Sequence, residues 1–173
     1  MTITGSVAYE VPATNKSEAR ELHTTNSLLS NWRILDYLYD GVVGAKKIVI
    51  TFGRITENAS AAVRHLREQG EKISLLKIIR IIPLPEKILE IASRYDTVFF
   101  FEEGMKQGGI AQNFLSALYE RGYQGKVKIT ALPKEFIKQG TIPSVLSRYG
   151  LDQASMEQTI SSQEEITKTE GEE

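Results

Sequence analysis

The chain contains no cysteine, which excludes disulfides, thiolate metal sites and cysteine nucleophiles at once. Histidine is nearly as scarce. Only His23 and His65 are present, and no HxxxH, HExxH or Asp-rich loop accompanies them, so a metal site is not expected. Lysine and arginine (21) almost balance aspartate and glutamate (22), and the net charge of −1 gives no footprint of a nucleic-acid or membrane-surface binder. No apolar run approaches the roughly 20 residues that span a bilayer. The opening MTITGSVAYEVPA lacks the basic start and long apolar core of a secretory signal. GxSxG and GxGxxG are also missing, which argues against an α/β-hydrolase and against a dinucleotide site. These absences lead to the expectation of a cytoplasmic protein with no nucleic-acid or membrane partner and no complete catalytic set.

What is present is a chain of 173 residues, long enough for one domain of ordinary size with a real core. Its centre is the stretch 97–119, TVFFFEEGMKQGGIAQNFLSALY. Val98 through Phe101 is an unbroken apolar run, the pattern of a strand buried on both faces of a parallel sheet. Glu102 and Glu103 stand at its end. Gly104 and the pair Gly108-Gly109 allow a turn. Ile110, Phe114, Ala117 and Leu118 then recur at helical spacing until Gly122. Acids at a strand's carboxyl end lie where open α/β sheets usually place functional groups. Carboxylates beside a helix N-terminus are also favoured on plain electrostatic grounds, so capping of the next helix is the first reading of this pair.

The same alternation runs through the chain from residue 46. Residues 48–52 form an apolar strand, Gly53 permits a tight turn, and Ala59, Ala62, Val63 and Leu66 mark one helix face that stops at Gly70. Residues 73–82 are a second apolar, β-branched run, closed by Pro83-Leu84-Pro85 before a helix carrying Ile88, Ile91 and Ala92. Residues 127–132 read as a further strand, ended by Pro133. Thr141 and Pro143 begin a short helix that Gly150 ends. Asp152 caps a last one, with Leu151 and Met156 at hydrophobic-staple spacing. Strands alternating with helices predict βαβ units and a three-layer α/β/α sandwich with a mostly parallel sheet.

Outside this frame, residues 13–30 are polar and read as a linker. Residues 32–39, WRILDYLY, are too apolar to remain in water, and Asp40-Gly41 signals a turn. Residues 161–173 hold five Glu against one Lys and a single apolar residue, Ile166, the composition of a disordered acidic tail. One further place has chemical potential. Free N–H groups after Gly53, with Arg54 beside them, would attract an anion. A simple turn with Thr56 as helix cap explains the same residues. His65, among Arg64, Arg67 and Glu68, reads as a surface residue.

The series ITFGRITENASAAVRHLREQG, PLP at 83–85, FFEEGMKQGG, LPKEFIKQG and SRYGLD resembles the C-terminal domain of transketolase-like enzymes. It is most similar to the third domain of 1-deoxy-D-xylulose-5-phosphate synthases. The resemblance covers roughly residues 46–160. GSVAYEVP at 5–12 resembles the strand ending the preceding pyrimidine-binding domain of that family. Ile82, Pro85 and Gly104 depart from the family pattern, which has a basic residue, an acid and a histidine there. Relatives of the pyruvate-dehydrogenase type or other transketolases therefore stay open.

The resemblance implies a division of the chain. Residues 1–12 would be the tail of a pyrimidine-binding domain, 13–45 a linker and docking segment, 46–160 the transketolase C-terminal-like domain, and 161–173 an acidic tail. It implies that thiamine diphosphate and Mg²⁺ belong to the other domains of a whole enzyme that condenses pyruvate with glyceraldehyde 3-phosphate for isoprenoid and thiamine precursor synthesis. This chain would hold no cofactor or catalytic residue. It would serve as a structural piece whose partners are the missing cofactor-binding domains and a second copy in a homodimer. A stand-alone anion-binding or regulatory module with the same fold is the alternative from another class. Gly53, Arg54, Thr56, Glu102, Glu103, Gly104, Gly108 and Gly109 are the candidate anion or inter-domain contacts.

Overall fold

The computed structural model describes residues 23–26 and 33–162. Six strands form one sheet: β1 (His23–Asn26), β2 (Arg33–Asp40), β3 (Lys47–Phe52), β4 (Ile73–Ile78), β5 (Thr97–Met105) and β6 (Lys126–Leu132), ordered β1-β2-β4-β3-β5-β6. β4, β3, β5 and β6 run parallel. β2 pairs antiparallel with β4, and β1 antiparallel with β2. The helices are α1 (Thr56–Glu68), α2 (Glu86–Ala92), α3 (Ile110–Glu120), α4 (Ile142–Arg148) and α5 (Gln153–Ser161). This is the expected three-layer sandwich.

Alternation along the strands builds a core on each face. Ile48, Ile50, Val98 and Phe100 pack against Ile88, Leu89 and Ile91 of α2 and Ala111, Phe114 and Leu118 of α3. Val49, Phe99 and Phe101 point the other way, onto Ala59, Ala62, Val63 and Leu66 of α1 and Met156 and Ile160 of α5. Both faces of β3 and β5 are thus covered, which is why their sequences are continuously apolar. Full burial of each such side chain is worth about 1.5–3 kcal/mol. At the far end, Asp152 caps α5 by accepting from Ser155 N–H at 2.8 Å. That bond holds its carboxyl below the usual range. Leu151 and Met156, both fully buried, complete the staple.

Several expectations change. The apolar segment at 32–39 does not merely dock: residues 33–40 are strand β2, and Tyr37 is fully buried within the α2/α3 core. Nor is 13–30 wholly linker, since His23–Asn26 pairs with β2. The run 73–82 is strand only to Ile78, because Ile79 and Arg80 donate their N–H groups to the Asp36 carbonyl, at 2.8 and 3.0 Å, and the chain turns away. The turn signalled at Asp40-Gly41 closes slightly later, where Ala45 N–H donates to Val42 O at 3.1 Å. Ser161, assigned to the tail, is the last residue of α5. Residues 1–12, Trp32 and 163–173 lie outside the described residues.

Candidate functional site

From β3 the chain crosses through α1 to β4 on one side, while β5 lies on the other. The carboxyl ends of β3 and β5 therefore bracket the point where the winding reverses, the usual place for a ligand in such sheets. All the candidate residues fall there. Gly53, Arg54 and Thr56 follow β3, Glu102, Glu103 and Gly104 end β5, and Gly108 and Gly109 lead into α3.

The register of β5 separates the two glutamates. Glu102 pairs with Ala131 and Met105 with the next residue, Leu132, so Glu103 and Gly104 bulge out of the ladder. Glu103 meets Arg54. Arg54 Nε donates to Oε2 at 3.1 Å and Nη2 donates to Oε1, a two-pronged pair across the switch point. This hydrogen bonding, then the Glu103 charge, pushes the Arg54 pKa upward.

Glu102 is only 3% exposed and serves α3. Its Oε1 accepts from Ile110 N–H at 3.1 Å and its Oε2 from Ala111 N–H at 2.8 Å. Two orphan donors of the helix start are thereby satisfied by a charge the helix dipole favours. Gln112 adds a third contact, accepting from Gly108 N–H at 2.6 Å. Gly108 has φ +76 and makes the turn possible. Gly109 has an ordinary φ of −74 and is there for space. A Cβ on it would lie 2.3 Å from Met105 O and 2.8 Å from each Glu102 oxygen.

The capping reading thus holds for Glu102, whereas Glu103 is an ion-pair partner. Thr56 is not a cap. Ile55 occupies the N-cap position without a side-chain bond, because the chain enters α1 through a turn in which Thr56 N–H donates to Gly53 O at 3.2 Å. His65 joins two helices. Its Nδ1 lies 2.9 Å from Glu157 Oε2 on α5, and its Nε2 lies 3.2 Å from Gln69.

Chemically, both oxygens of each switch-point carboxylate are engaged, and Arg54 is already paired. A pyrophosphate placed here would meet two carboxylates, and a cation would find no free donor set, so thiamine diphosphate and its metal do not fit these residues. Among the described residues no group of three or more His, Asp or Glu is placed to hold a metal ion.

Two features had little signature in the sequence. One is the Asp36–Arg80 pair, with Nε 2.9 Å from Oδ1 and the Asp36 side chain 2% exposed. The other is a set of exposed apolar side chains after the carboxyl ends of β4, β5 and β6: Ile79, Ile82, Met105, Phe136 and Ile142, with Phe136 90% exposed.

Comparison with known proteins places these observations. The sequence profile described as "Transketolase, C-terminal domain" matches residues 42–156. A 1-deoxy-D-xylulose-5-phosphate synthase of Azobacteroides pseudotrichonymphae genomovar. CFP2 is 30% identical over 110 residues, 63% of this chain and 17% of the relative. The enzyme of the same name from Shouchella clausii is 25% identical over 158 residues, 90% of this chain and 24% of the relative. The chain therefore spans a quarter or less of these relatives. A solved structure described as "Split gene transketolase, inactive beta4 tetramer" superposes with a TM-score of 0.61 at 19% identity, covering 72% of this chain and 40% of the other, a likeness of fold. The chain belongs to the transketolase C-terminal domain family.

Proposed function

We propose that this chain is the C-terminal, non-catalytic domain of an enzyme similar to 1-deoxy-D-xylulose-5-phosphate synthase. The observation that carries the reading is the family match across residues 42–156, with relatives of that name. The engaged state of Glu102, Glu103 and Arg54 supports it, since each is used by the fold itself. Thiamine diphosphate and Mg²⁺ would be bound by other domains, and residues 1–12 would end the pyrimidine-binding domain. The whole enzyme would condense pyruvate with glyceraldehyde 3-phosphate in a cytoplasmic setting. A transketolase or 2-oxoacid dehydrogenase parent differs in the substrates it would accept. The anion-module alternative requires Arg54 to leave Glu103.

The chain titrated calorimetrically with thiamine diphosphate and Mg²⁺ should show no micromolar binding. Mixed with the cofactor-binding domains of its parent, it should restore condensation of pyruvate with glyceraldehyde 3-phosphate. Micromolar cofactor affinity in the chain alone would overturn the reading.

The same reading includes a homodimer. Tyr37 is committed to the chain's own core, so the contact falls to the apolar carboxyl edge around Met105 and Phe136. Solvent-exposed groups of this size in one region are the mark of an interaction surface. Light scattering at tens of micromolar should give a dimer mass, and Phe136→Glu should return it to a monomer. A monomer in the unmodified chain would count against the dimer.

A further inference from the structure

The opposite edge of the sheet, where β3, β5 and β6 begin, carries a cleft of about 810 Å³ between the loop after α2 and the turn after α3, within the size range of small-molecule sites. Lys47, Arg94, Arg121 and Lys126 line it, against one carboxylate, Asp96. Several of these charges are already paired. Asp96 lies 3.7 Å from Lys46, Arg121 3.4 Å from Glu86 and Lys47 3.0 Å from Glu71. Arg94 and Lys126, both exposed, have no carboxylate partner among the described residues. α2 and α3 both end at the cleft, and a helix C-terminus acts as about half a negative charge. The two ends together offset roughly one cation, so the cleft keeps a positive surplus. Lys126 opens β6 rather than closing a helix.

The walls are fixed and carry unused donors. Tyr123 hydroxyl donates to Tyr95 O at 2.9 Å, and Lys126 N–H donates to Asp96 O at 2.9 Å. A Cβ at Gly125 would fall 2.6 Å from that Asp96 carbonyl, so the turn after α3 is pinned closely against the loop after α2. In the same turn the N–H groups of Gln124 and Gly125 donate to no backbone carbonyl among the described residues, which leaves them to water or a ligand. Tyr95 and Tyr123 are only 7% exposed, so the cleft offers no open aromatic face on which a base could stack. We infer that this amino-edge cleft binds a small phosphate-type anion carrying two or more negative charges, held between Arg94 and Lys126 with the Gln124 and Gly125 N–H groups completing its contacts. Tetrahedral phosphate oxygens accept from several directions, which suits a guanidinium, an ammonium and backbone donors on separate walls. A planar carboxylate is matched by one guanidinium alone. The site lies at the other end of the strands from Arg54 and Glu103, so it does not depend on the switch point.

The test titrates the ¹⁵N-labelled full chain with sodium tripolyphosphate at neutral pH and low salt. Amide shifts should saturate, be largest at Arg94, Tyr95, Gln124, Gly125 and Lys126, and reach half their extent below about 1 mM, as expected of several weak exposed contacts acting together. Arg94→Gln with Lys126→Gln should weaken binding at least about tenfold. Lys134→Gln with Lys138→Gln removes the same charge after the carboxyl end of β6, also at exposed positions, and should change binding less than about twofold. Citrate, whose charge sits on carboxylates, should bind at least about fivefold more weakly than tripolyphosphate. Shifts that do not saturate, shifts centred on other basic residues, or equal losses in the two double variants would each overturn the site. Citrate binding as tightly as tripolyphosphate would overturn the phosphate class.

Discussion

Gly109→Val should destabilise the fold by about 3–5 kcal/mol, mostly by evicting Glu102 from its seat. The backbone is not the reason, since Gly109 has φ −74. The space is already occupied: a Cβ there would lie 2.3 Å from Met105 O and 2.8 Å from both Glu102 oxygens. Met105 O is backbone of β5 and cannot swing aside. The Glu102 side chain can, but doing so breaks its bonds to Ile110 and Ala111 N–H and leaves those donors at a buried helix start. Charge-assisted bonds of this kind contribute about 1.5–3 kcal/mol each. Gly108→Ala, by contrast, tests backbone freedom at φ +76 and should cost only about 1 kcal/mol. Glu102→Ala should be costly alone and should reduce the further cost of Gly109→Ala, since one of the two clashes is then gone. Urea unfolding of these variants and of the Glu102→Ala/Gly109→Ala double measures all of this. An unchanged midpoint for Gly109→Val would mean that the β5–α3 connection is looser than the contacts imply.

The pattern from Lys47 onward could be read in the sequence because each element announces itself locally. β3 and β5 are apolar on both faces, α1 and α3 repeat at helical spacing, and Asp152 and Thr141 are short polar caps at the right offset. β2 was legible as apolar but not as a strand. Its middle holds Asp36, a charge out of place in a sheet until Arg80, 44 positions later, is brought beside it. Ile79 and Ile82 extend an apolar run that local reading cannot end. Only the tertiary capture of their loop by the Asp36 carbonyl stops the strand at Ile78. The candidate site was legible in position, from strand ends and glycines. Its roles were not, because Arg54 and Glu103 are 49 positions apart and a bulge in β5 decides which glutamate faces which partner.

Arg80→Met should cost about 3 kcal/mol and loosen the β2 edge of the sheet before the rest. Asp36 is held at the β2–β4 junction by two devices. Its carbonyl accepts from Ile79 and Arg80 N–H, and its carboxylate, in a side chain 2% exposed, lies 2.9 Å from Arg80 Nε. The contact brings opposite charges together where β2 meets the loop after β4. Removing one partner of a buried pair typically costs 3–5 kcal/mol. The lower end applies because the Arg80 side chain is 32% exposed and already partly solvated. Methionine keeps the packing of the aliphatic stem, which isolates the charge from the volume. Asp36→Asn removes the buried charge instead and should cost less than Arg80→Met, since a neutral amide costs less to bury than a carboxylate. The loss should also be local at first. β2 meets the parallel strands only through β4, so amide exchange at Tyr37, Leu38 and Tyr39 should accelerate well before that of Phe99 or Phe100. Equal exchange rates across β2 and β5 in Arg80→Met, or a midpoint matching the unmodified chain, would show that the β2 edge is held by Tyr37 packing and the strand ladder without the ion pair.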